Sequence, residues 1–502
     1  MTSIADTGPW PTCPQDFNLT AHVLAAADSV PDKIALAVVK PTGAQRWSYD
    51  RLSSAILGTA TGLLDSGLRP GDRLLMRVGN SVEFPVAYLA AIAVGIVPIP
   101  TSSQLTEPEV QVLIDMTDPA AVLHDGKTAC PATVRVIRTD QMARWYGLPP
   151  ADYALGDPDR LAYIIFTSGT SGKPRAVCHA HRAIWARGMM MEGWYGLTES
   201  DRLMHAGAFN WTYTLGTGLL DPWTKGATAL IPAQGVEHAQ IPLLLKRHEA
   251  TIFAAAPGVY RNILKSGSLD LPKLRHGLSA GEKLPATIRD AWLAATGTRV
   301  YEAFGMSECS TFISSAPGSP DLPPESLGWP QPGRRIAILS EAGPAPLNTP
   351  GIIAVHRTDP GLMLGYLNQP EETASRYQGD WFLTGDMGEM TENKDILYHG
   401  RADDMMNAGG YRVSPLEVEA ALLAHPDIHE VGVTDIEIKA DTRIIAAYYV
   451  SETPLDANTL EQFAAERLAR YKQPRLYTRV ASLPRNANNK LLRRALPDQP
   501  TL

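Results

Sequence analysis

The chain has 502 residues, of which 44% are hydrophobic and 20% are charged, and its formal net charge is -8. This length exceeds one ordinary folding unit, so at least two domains are expected, and the composition is typical of a globular protein. The acidic balance argues against a broad electrostatic surface for nucleic acid or for an anionic membrane.

From residue 47 to residue 123, helical patterns alternate with short apolar runs. Helices are predicted at 49–66 and 81–94, and strands at 73–78 and 120–123. The alternation resumes with apolar runs at 160–166, 227–231, 251–255 and 275–278. This rhythm predicts an α/β body around a largely parallel sheet.

The last third of the chain has a different character. Short runs at 335–339 and 351–357, separated by turn residues, predict a smaller β-rich subdomain. Beyond residue 399, a helix at 416–423, strands at 431–434 and 444–450, and a helix at 459–470 predict a separate small α+β domain. We therefore expect an N-terminal domain of residues 1–400 and a C-terminal domain of residues 401–502.

No segment of the sequence predicts export or a membrane span. The N-terminus lacks a basic region followed by an apolar one, and the longest apolar run, 84–100, contains two prolines, which favours a buried helix turning into a strand. The cysteines lack the spacing of a zinc site or a disulfide framework; they are Cys13, Cys130, Cys178 and Cys309. A cytoplasmic protein is expected.

The stretch TSGTSGKPR at residues 167–175 follows the apolar run LAYIIF. Its glycines and small hydroxyl residues allow backbone amides and hydroxyl groups to surround phosphate oxygens, and Lys173 adds a positive charge. A proline follows Lys173, where a Walker A loop has Ser or Thr. Such a cluster alone is more often a flexible surface loop, so the composition indicates a phosphate loop without establishing one.

Four later segments join this one in an ordered set: FGMSE at 304–308, TGD at 384–386, GRADD at 400–404 and the lysine of NANNKLLRR, Lys490. Together the five resemble the signature segments of the acyl-adenylate-forming synthetases, which include acyl-CoA synthetases, aryl-CoA ligases, peptide-synthetase adenylation domains and firefly-type luciferases. The resemblance implies a large N-terminal body of parallel-sheet α/β subdomains with a β-rich subdomain. It also implies a small mobile C-terminal domain that swings about a hinge at Asp403.

The resemblance implies three catalytic residues. Lys490 would bridge the attacking carboxylate and the α-phosphate, Glu308 would hold Mg²⁺, and Lys173 would help the loop to hold the β- and γ-phosphates. Asp386 would accept hydrogen bonds from the ribose, and Phe304 would stack on adenine. The implied ATP- and CoA-binding set is Thr167, Ser168, Gly169, Thr170, Ser171, Gly172, Lys173, Gly281, Glu282, Ala303, Phe304, Gly305, Ser307, Asp386, Arg401, Gly409, Gly410 and Arg412.

The acyl pocket departs from the pattern of the family. Many relatives carry an aromatic–histidine pair where this chain has Asn210 and Trp211. The segment SAGEKLP at 279–285 looks like that of benzoate-type and medium-chain ligases, which favours an aromatic or a short-to-medium hydrophobic acid. The implied pocket residues are Phe209, Asn210, Trp211, Ser279 and Ala280.

The leading hypothesis is a carboxylic acid:CoA ligase that uses ATP, Mg²⁺ and coenzyme A to make an acyl-AMP and then an acyl-CoA. A free-standing enzyme that loads a carrier-protein thiol would use the same residues. A catalytically silent AMP-binding regulatory protein and a structural α/β protein are alternatives of another class, but neither needs the lysines and carboxylates retained here. The partners expected are small molecules and not nucleic acid, and a homodimer is left open.

Overall fold

The computed structural model describes residues 2–132, 134–168, 174–265, 267, 269–281, 283, 284, 286–323, 326–401, 406–408, 411–413, 415–439, 442–484, 491 and 493–500. Within these ranges the side chains of residues 168, 287, 400, 401, 407, 408, 412, 416, 420 and 494 are not described. The described part confirms the predicted α/β body, the β-rich subdomain and the small α+β unit at the C-terminus.

A central sheet organises the body, and its interior strands are parallel. The runs predicted near residues 227–231, 251–255 and 275–278 all lie in this interior. Because both faces are covered, these strands are buried along nearly their whole length. From edge to edge the strands are Trp329–Pro330, Ser310–Ser314, Val300–Met306, His276–Ala280, Ile252–Ala255, Arg202–His205, Thr228–Pro232, Ile34–Lys40 and Gly43–Ser48.

A second parallel sheet holds the strands predicted near residues 73–78 and 120–123. The apolar run at 84–100 forms a helix, Glu83–Ala93, that is buried on all sides and leads into a strand of this sheet, as predicted. In order, the strands are Val97–Pro100, Arg73–Arg77, Ala121–His124 and Val136–Arg138.

The helices of the body pack against these sheets. The longest helix, Tyr49–Asp65, begins after Ser48, whose side chain accepts a hydrogen bond from the Arg51 amide. Its apolar side packs into a hydrophobic core that it shares with the helix Glu83–Ala93. The other α-helical segments before the C-terminal unit are Leu19–Val23, Glu107–Thr117, Thr139–Trp145, Arg182–Ala186, Gly188–Met190, Thr212–Leu215, Asp221–Thr224, Ile241–Arg247, Pro257–Leu264, Ala286–Thr296 and Pro370–Ser375.

One strand belongs to a different sheet from the one expected. The run predicted at 160–166 forms Leu161–Ser168, which pairs antiparallel with Pro174–Ala180. Only five residues separate the two strands, and a connection this short cannot make a parallel crossover. Gly365–Tyr366 completes this small sheet on the far side of Pro174–Ala180.

The β-rich subdomain is an antiparallel sheet that also recruits the start of the chain. Ile4–Asp6 pairs with Arg335–Ser340, a contact that the sequence did not predict. The core of this subdomain lies between its sheet and the edge of the central sheet. Its remaining strands are Gly343–Pro344, Gly351–His356, Tyr377–Gln378, Trp381–Met390 and Ile396–Arg401.

The C-terminal unit has its own hydrophobic core, formed between two helices and a three-stranded sheet. The helix predicted at 459–470 is Ala457–Ala465 in the structure, and it ends earlier than expected. Past its end, the Ala469 amide donates to Glu109 of the body. The elements are strands Met406–Ala408, Tyr411–Val413, Glu430–Lys439, Thr442–Val450 and Leu476–Arg479, and helices Pro415–Leu423 and Ala457–Ala465. Within the described residues, no helix has both the length and the apolar character needed to cross a membrane.

Candidate active site

The carboxyl ends of two neighbouring parallel strands bring the first two predicted segments together. Ala280, at the end of His276–Ala280, is the register partner of Ala303 in Val300–Met306. Because parallel strands end at the same edge of a sheet, SAGE and FGMSE lie side by side there. This edge is where open α/β sheets place their ligands.

Glu308 lies in the turn that follows Val300–Met306 and is 6% exposed. The Tyr366 hydroxyl donates a hydrogen bond of 2.8 Å to Glu308 Oε1. Burial and the Glu308 charge raise the pKa of Tyr366 well above its ordinary value, so this hydroxyl stays protonated and remains a donor. Among the described residues, the second oxygen of Glu308 has no hydrogen-bond partner, so a hard cation such as Mg²⁺ fits here.

Tyr366 connects this carboxylate to the predicted phosphate loop. It lies on the short strand that pairs with Pro174–Ala180, the strand that leaves the loop. Arg175, the first residue past the loop's proline, lies 5.3 Å over the Tyr366 ring and pairs with Glu372 at 2.6 Å. The loop's exit is thus held beside Glu308, although Tyr366 has no spacing signal in the sequence and was not predicted.

Asp386 lies in the strand Trp381–Met390 and is 2% exposed. The Tyr398 hydroxyl donates to Asp386 Oδ1 at 3.0 Å, and Asp386 is the direct register partner of Arg401 on the next strand. TGD and the first two residues of GRADD therefore lie on adjacent antiparallel strands. Phe304 packs 5.5 Å from the Tyr398 ring, which joins this pair to the FGMSE segment.

Trp211 covers the SAGE glycine. A Cβ atom at Gly281 would lie 2.5 Å from Trp211 Cζ2, and Gly281 has φ +97°, so both space and backbone conformation require glycine there. On its other side, Trp211 stacks on Tyr411 of the C-terminal unit with centroids 6.5 Å apart. Trp211 thus lies between the strand edge and the GGYR segment.

The other predicted pocket residues differ from one another in burial and in hydrogen bonding. Phe209 is 1% exposed, and its ring centroid lies 5.6 Å from that of Phe84 on the buried helix Glu83–Ala93. The Phe209 amide donates a hydrogen bond to Asn80 Oδ1. Ser279 is fully buried, and its hydroxyl has no partner among the described residues. Asn210 is half-buried next to Trp211.

Several predicted site residues lie outside the described residues: Gly169, Thr170, Ser171, Gly172, Lys173, Glu282, Asp403, Gly409, Gly410 and Lys490. The backbones of Ser168, Arg401 and Arg412 are in strands, but their side chains are not described. Thr167, Gly305 and Ser307 are half-buried around the same edge. The roles of all these residues stay predictions.

Two family models match the chain. The AMP-binding enzyme model matches residues 23–367, and the model of the AMP-binding enzyme C-terminal domain matches residues 417–490. The chain belongs to the AMP-binding enzyme family. The resemblance drawn from the five sequence segments is therefore confirmed.

Relatives of similar length support this assignment. Benzoate–CoA ligase of Thauera aromatica is 30% identical, with 89% of this chain and 90% of the relative covered. 3-Hydroxybenzoate–CoA ligase of Aromatoleum sp. (strain CIB) is 28% identical, with 89% and 91% covered. The o-succinylbenzoate CoA synthetase of Bacillus subtilis, solved with a product analogue, superposes with a TM-score of 0.85 at 26% identity over 96% of this chain and 99% of that one.

Proposed function

We propose that this family member is a carboxylic acid:CoA ligase whose substrate is an aromatic acid. The observation that carries the proposal is the joining of the predicted segments at the end of the central sheet. Ala280 and Ala303 lie side by side there, and Phe304 packs on Tyr398, whose hydroxyl donates to Asp386. Glu308 and Asp386 are both buried. The named relatives are benzoate, hydroxybenzoate and succinylbenzoate CoA ligases, which supports both the enzyme class and an aromatic substrate.

Each half-reaction has residues suited to it. In the first, a carboxylate oxygen of the acid attacks the α-phosphorus of ATP, and pyrophosphate leaves. Lys490 and Lys173 would offset the electrostatic repulsion between the carboxylate and the phosphates of ATP. Asp386 and Arg401 would hold the ribose, and Phe304 would pack on adenine. Mg²⁺ bound at Glu308 would supply neutralising charge beside the phosphates.

In the second half-reaction, the CoA thiolate attacks the acyl carbon and AMP leaves. The GGYR segment would lie along the CoA arm, and its Tyr411 already stacks on Trp211 beside the pocket. We place the protein in the cytoplasm, where ATP and reduced CoA are available, and its four cysteines are all free thiols.

The first test is pyrophosphate release by the purified protein with Mg-ATP across aryl, short, medium and long-chain acids, with and without CoA. We expect aromatic acids to give the highest rates and CoA to stimulate turnover, because thioester formation frees the enzyme of its tightly held acyl-AMP. Release that depends on the acid but is not stimulated by CoA would instead indicate a carrier-protein thiol as the acceptor.

A contact between the C-terminal unit and the body fixes one arrangement of the two. Glu109 Oε2 caps its own helix by accepting from the Thr106 amide, which leaves Oε1 to accept from Lys472 Nζ at 3.2 Å and from the Ala469 amide. Lys472 also contacts Glu417 at 2.6 Å and is 8% exposed. The Tyr411 and Tyr471 rings stack beside it at 4.0 Å.

Two complexes of one relative indicate which step this arrangement serves. The succinylbenzoate enzyme with its CoA product analogue superposes at a TM-score of 0.85, whereas the same enzyme with AMP superposes at 0.70. We therefore propose that the Glu109–Lys472 contact belongs to the arrangement in which the thioester forms, and that the unit pivots near Asp403 between steps.

We expect Glu109→Gln to slow thioester formation about tenfold and to leave adenylation within about twofold of the wild type. Gln preserves the helix cap, whereas it removes the charge that holds Lys472, a loss of about 1.5 kcal/mol or more for a charged hydrogen bond. Single-turnover CoA transfer from preformed acyl-AMP and ATP–pyrophosphate exchange report the two steps separately. Glu107→Gln, on the exposed side of the same helix, is the matched control; equal slowing of both steps by Glu109→Gln would contradict the proposal.

A further inference from the structure

A cavity lies next to the turn that holds Glu308. Ser307 and Ser310, which bracket Glu308, form one wall, and Thr212, next to Trp211, forms another. The remaining polar lining comes from Tyr88, Tyr163, His179 and Arg187. A second, smaller cavity shares Tyr163, His179, Arg187 and Ser310 with the first, so the two adjoin.

His179 lines both cavities and has one unused acceptor. Its Nε2 lies 2.8 Å from the Ser307 carbonyl oxygen, and because a carbonyl can only accept, Nε2 carries the proton. The residue is 3% exposed, and burial lowers its pKa to about 4, so the ring is neutral at pH 7. Its Nδ1 is therefore an acceptor, and it has no partner among the described residues. Tyr163 stacks on the ring at 4.9 Å and fixes its plane.

Arg187 gives the cavity a polar wall without a net charge. Asp221 accepts from Arg187 Nε and Nη2, each at 2.6 Å, and thereby neutralises the guanidinium. Arg187 Nη1 donates to Ser310 Oγ at 2.8 Å. A second carboxylate on the substrate would find no uncompensated cation among these residues, and burying it would be costly. The lining suits a neutral polar group.

Glycine at position 216 creates the room for this arrangement. A Cβ atom there would lie 2.2 Å from Arg187 Cζ, so any side chain would displace the guanidinium from the cavity wall. The rest of the lining is apolar and comes from Leu19, Ile184, Leu215 and Leu220. A small cavity that combines these apolar side chains with one unmet acceptor is matched by a hydrogen-bond donor on an otherwise apolar molecule.

We propose that this cavity is the distal end of the acyl pocket and receives a hydroxyl group of the substrate acid, whose O–H donates to His179 Nδ1. The protein thus selects hydroxylated acids over the same acids without the hydroxyl group. An acid lacking the group leaves Nδ1 desolvated and unpaired, and discrimination of this kind is far stronger than that from apolar contact alone. This inference rests on the proposed ligase function.

The test compares kcat/KM for matched acids in acid-dependent, CoA-coupled pyrophosphate release. The panel holds benzoate with its 2-, 3- and 4-hydroxy, fluoro and methyl derivatives, and aliphatic acids with and without a terminal hydroxyl group. We expect one hydroxylated acid to exceed both its unsubstituted and its methyl counterpart by at least about tenfold. If every hydroxylated acid reacts no faster than its counterpart, a trapped water satisfies Nδ1 and the proposal is wrong.

The variant that removes the acceptor is His179→Phe. Phenylalanine keeps a flat ring against Tyr163 and has no acceptor, whereas glutamine would bring in a carbonyl oxygen that accepts. The bond to the Ser307 carbonyl is also lost, but equally for both acids of a matched pair. We expect the preference for the hydroxylated acid to fall to about twofold or less, a ratio that a general loss of stability would not change. An unchanged ratio would overturn the proposal. If no acid in the panel releases pyrophosphate, the proposed ligase function fails instead, so the two failures are distinguishable.

Discussion

Glu308→Gln reduces acid-dependent pyrophosphate release by at least about a hundredfold while the protein stays folded; this is the result expected if Glu308 holds Mg²⁺. Glutamine has the same shape, and its Oε1 can still accept from the Tyr366 hydroxyl, so the local structure is preserved. What is lost is one negative charge on a hard oxygen ligand next to the phosphates, and a neutral amide oxygen binds Mg²⁺ less strongly.

The measurement is a Mg²⁺ titration of ATP–pyrophosphate exchange at a fixed acid concentration. The variant should need a higher Mg²⁺ concentration for half-maximal rate, and saturating Mg²⁺ should restore only part of the activity. Tyr366→Phe is the matched control: it keeps the carboxylate and removes one hydrogen bond, worth about 1.5–3 kcal/mol to a charged group, so a smaller loss is expected. If Glu308→Gln shows the same Mg²⁺ dependence as the wild type, Glu308 does not bind the metal.

Much of this site could be predicted because its residues lie in short contiguous segments that can be recognised one at a time. The run predicted at 275–278 is short and apolar and is followed by small residues, which is how a buried parallel strand ends at a ligand edge. Its neighbour, Val300–Met306, was not predicted as a strand, and only its FGMSE segment was recognised. Likewise, TGD and GRADD could each be recognised locally. Their direct pairing, Asp386 opposite Arg401, depends on strand register, which neither segment encodes.

The parts that escaped prediction depend on distant partners. The apolar run at 160–166 says nothing about whether its neighbour runs parallel or antiparallel, and only the short loop to Pro174 decides it. Tyr366 reaches Glu308 from 58 positions away in sequence, and Glu109 meets Lys472 across 363. His179 resembles any strand histidine until its Nε2 is seen to be bonded and its Nδ1 unpaired.

The buried ion pair behind the cavity should dominate the stability of this part of the body. Asp221 is fully buried and accepts from Arg187 through both oxygens, and the Tyr195 hydroxyl also donates to it at 2.8 Å. We expect Asp221→Asn to destabilise the protein by about 3–5 kcal/mol, because the Arg187 guanidinium would remain buried without a counter-charge.

Thermal and urea unfolding, followed by tryptophan fluorescence, would measure this loss. The exposed pair of Arg299 and Asp321 provides the control, since Asp321→Asn removes a screened surface contact and should cost less than about 1 kcal/mol. Replacing both partners, with Arg187→Met and Asp221→Leu, should be less destabilising than Asp221→Asn alone, because no unpaired charge is left behind. If the double variant loses as much stability as its two single variants together, the two side chains act independently. The Arg187–Asp221 pair would then not be what makes the cavity wall neutral.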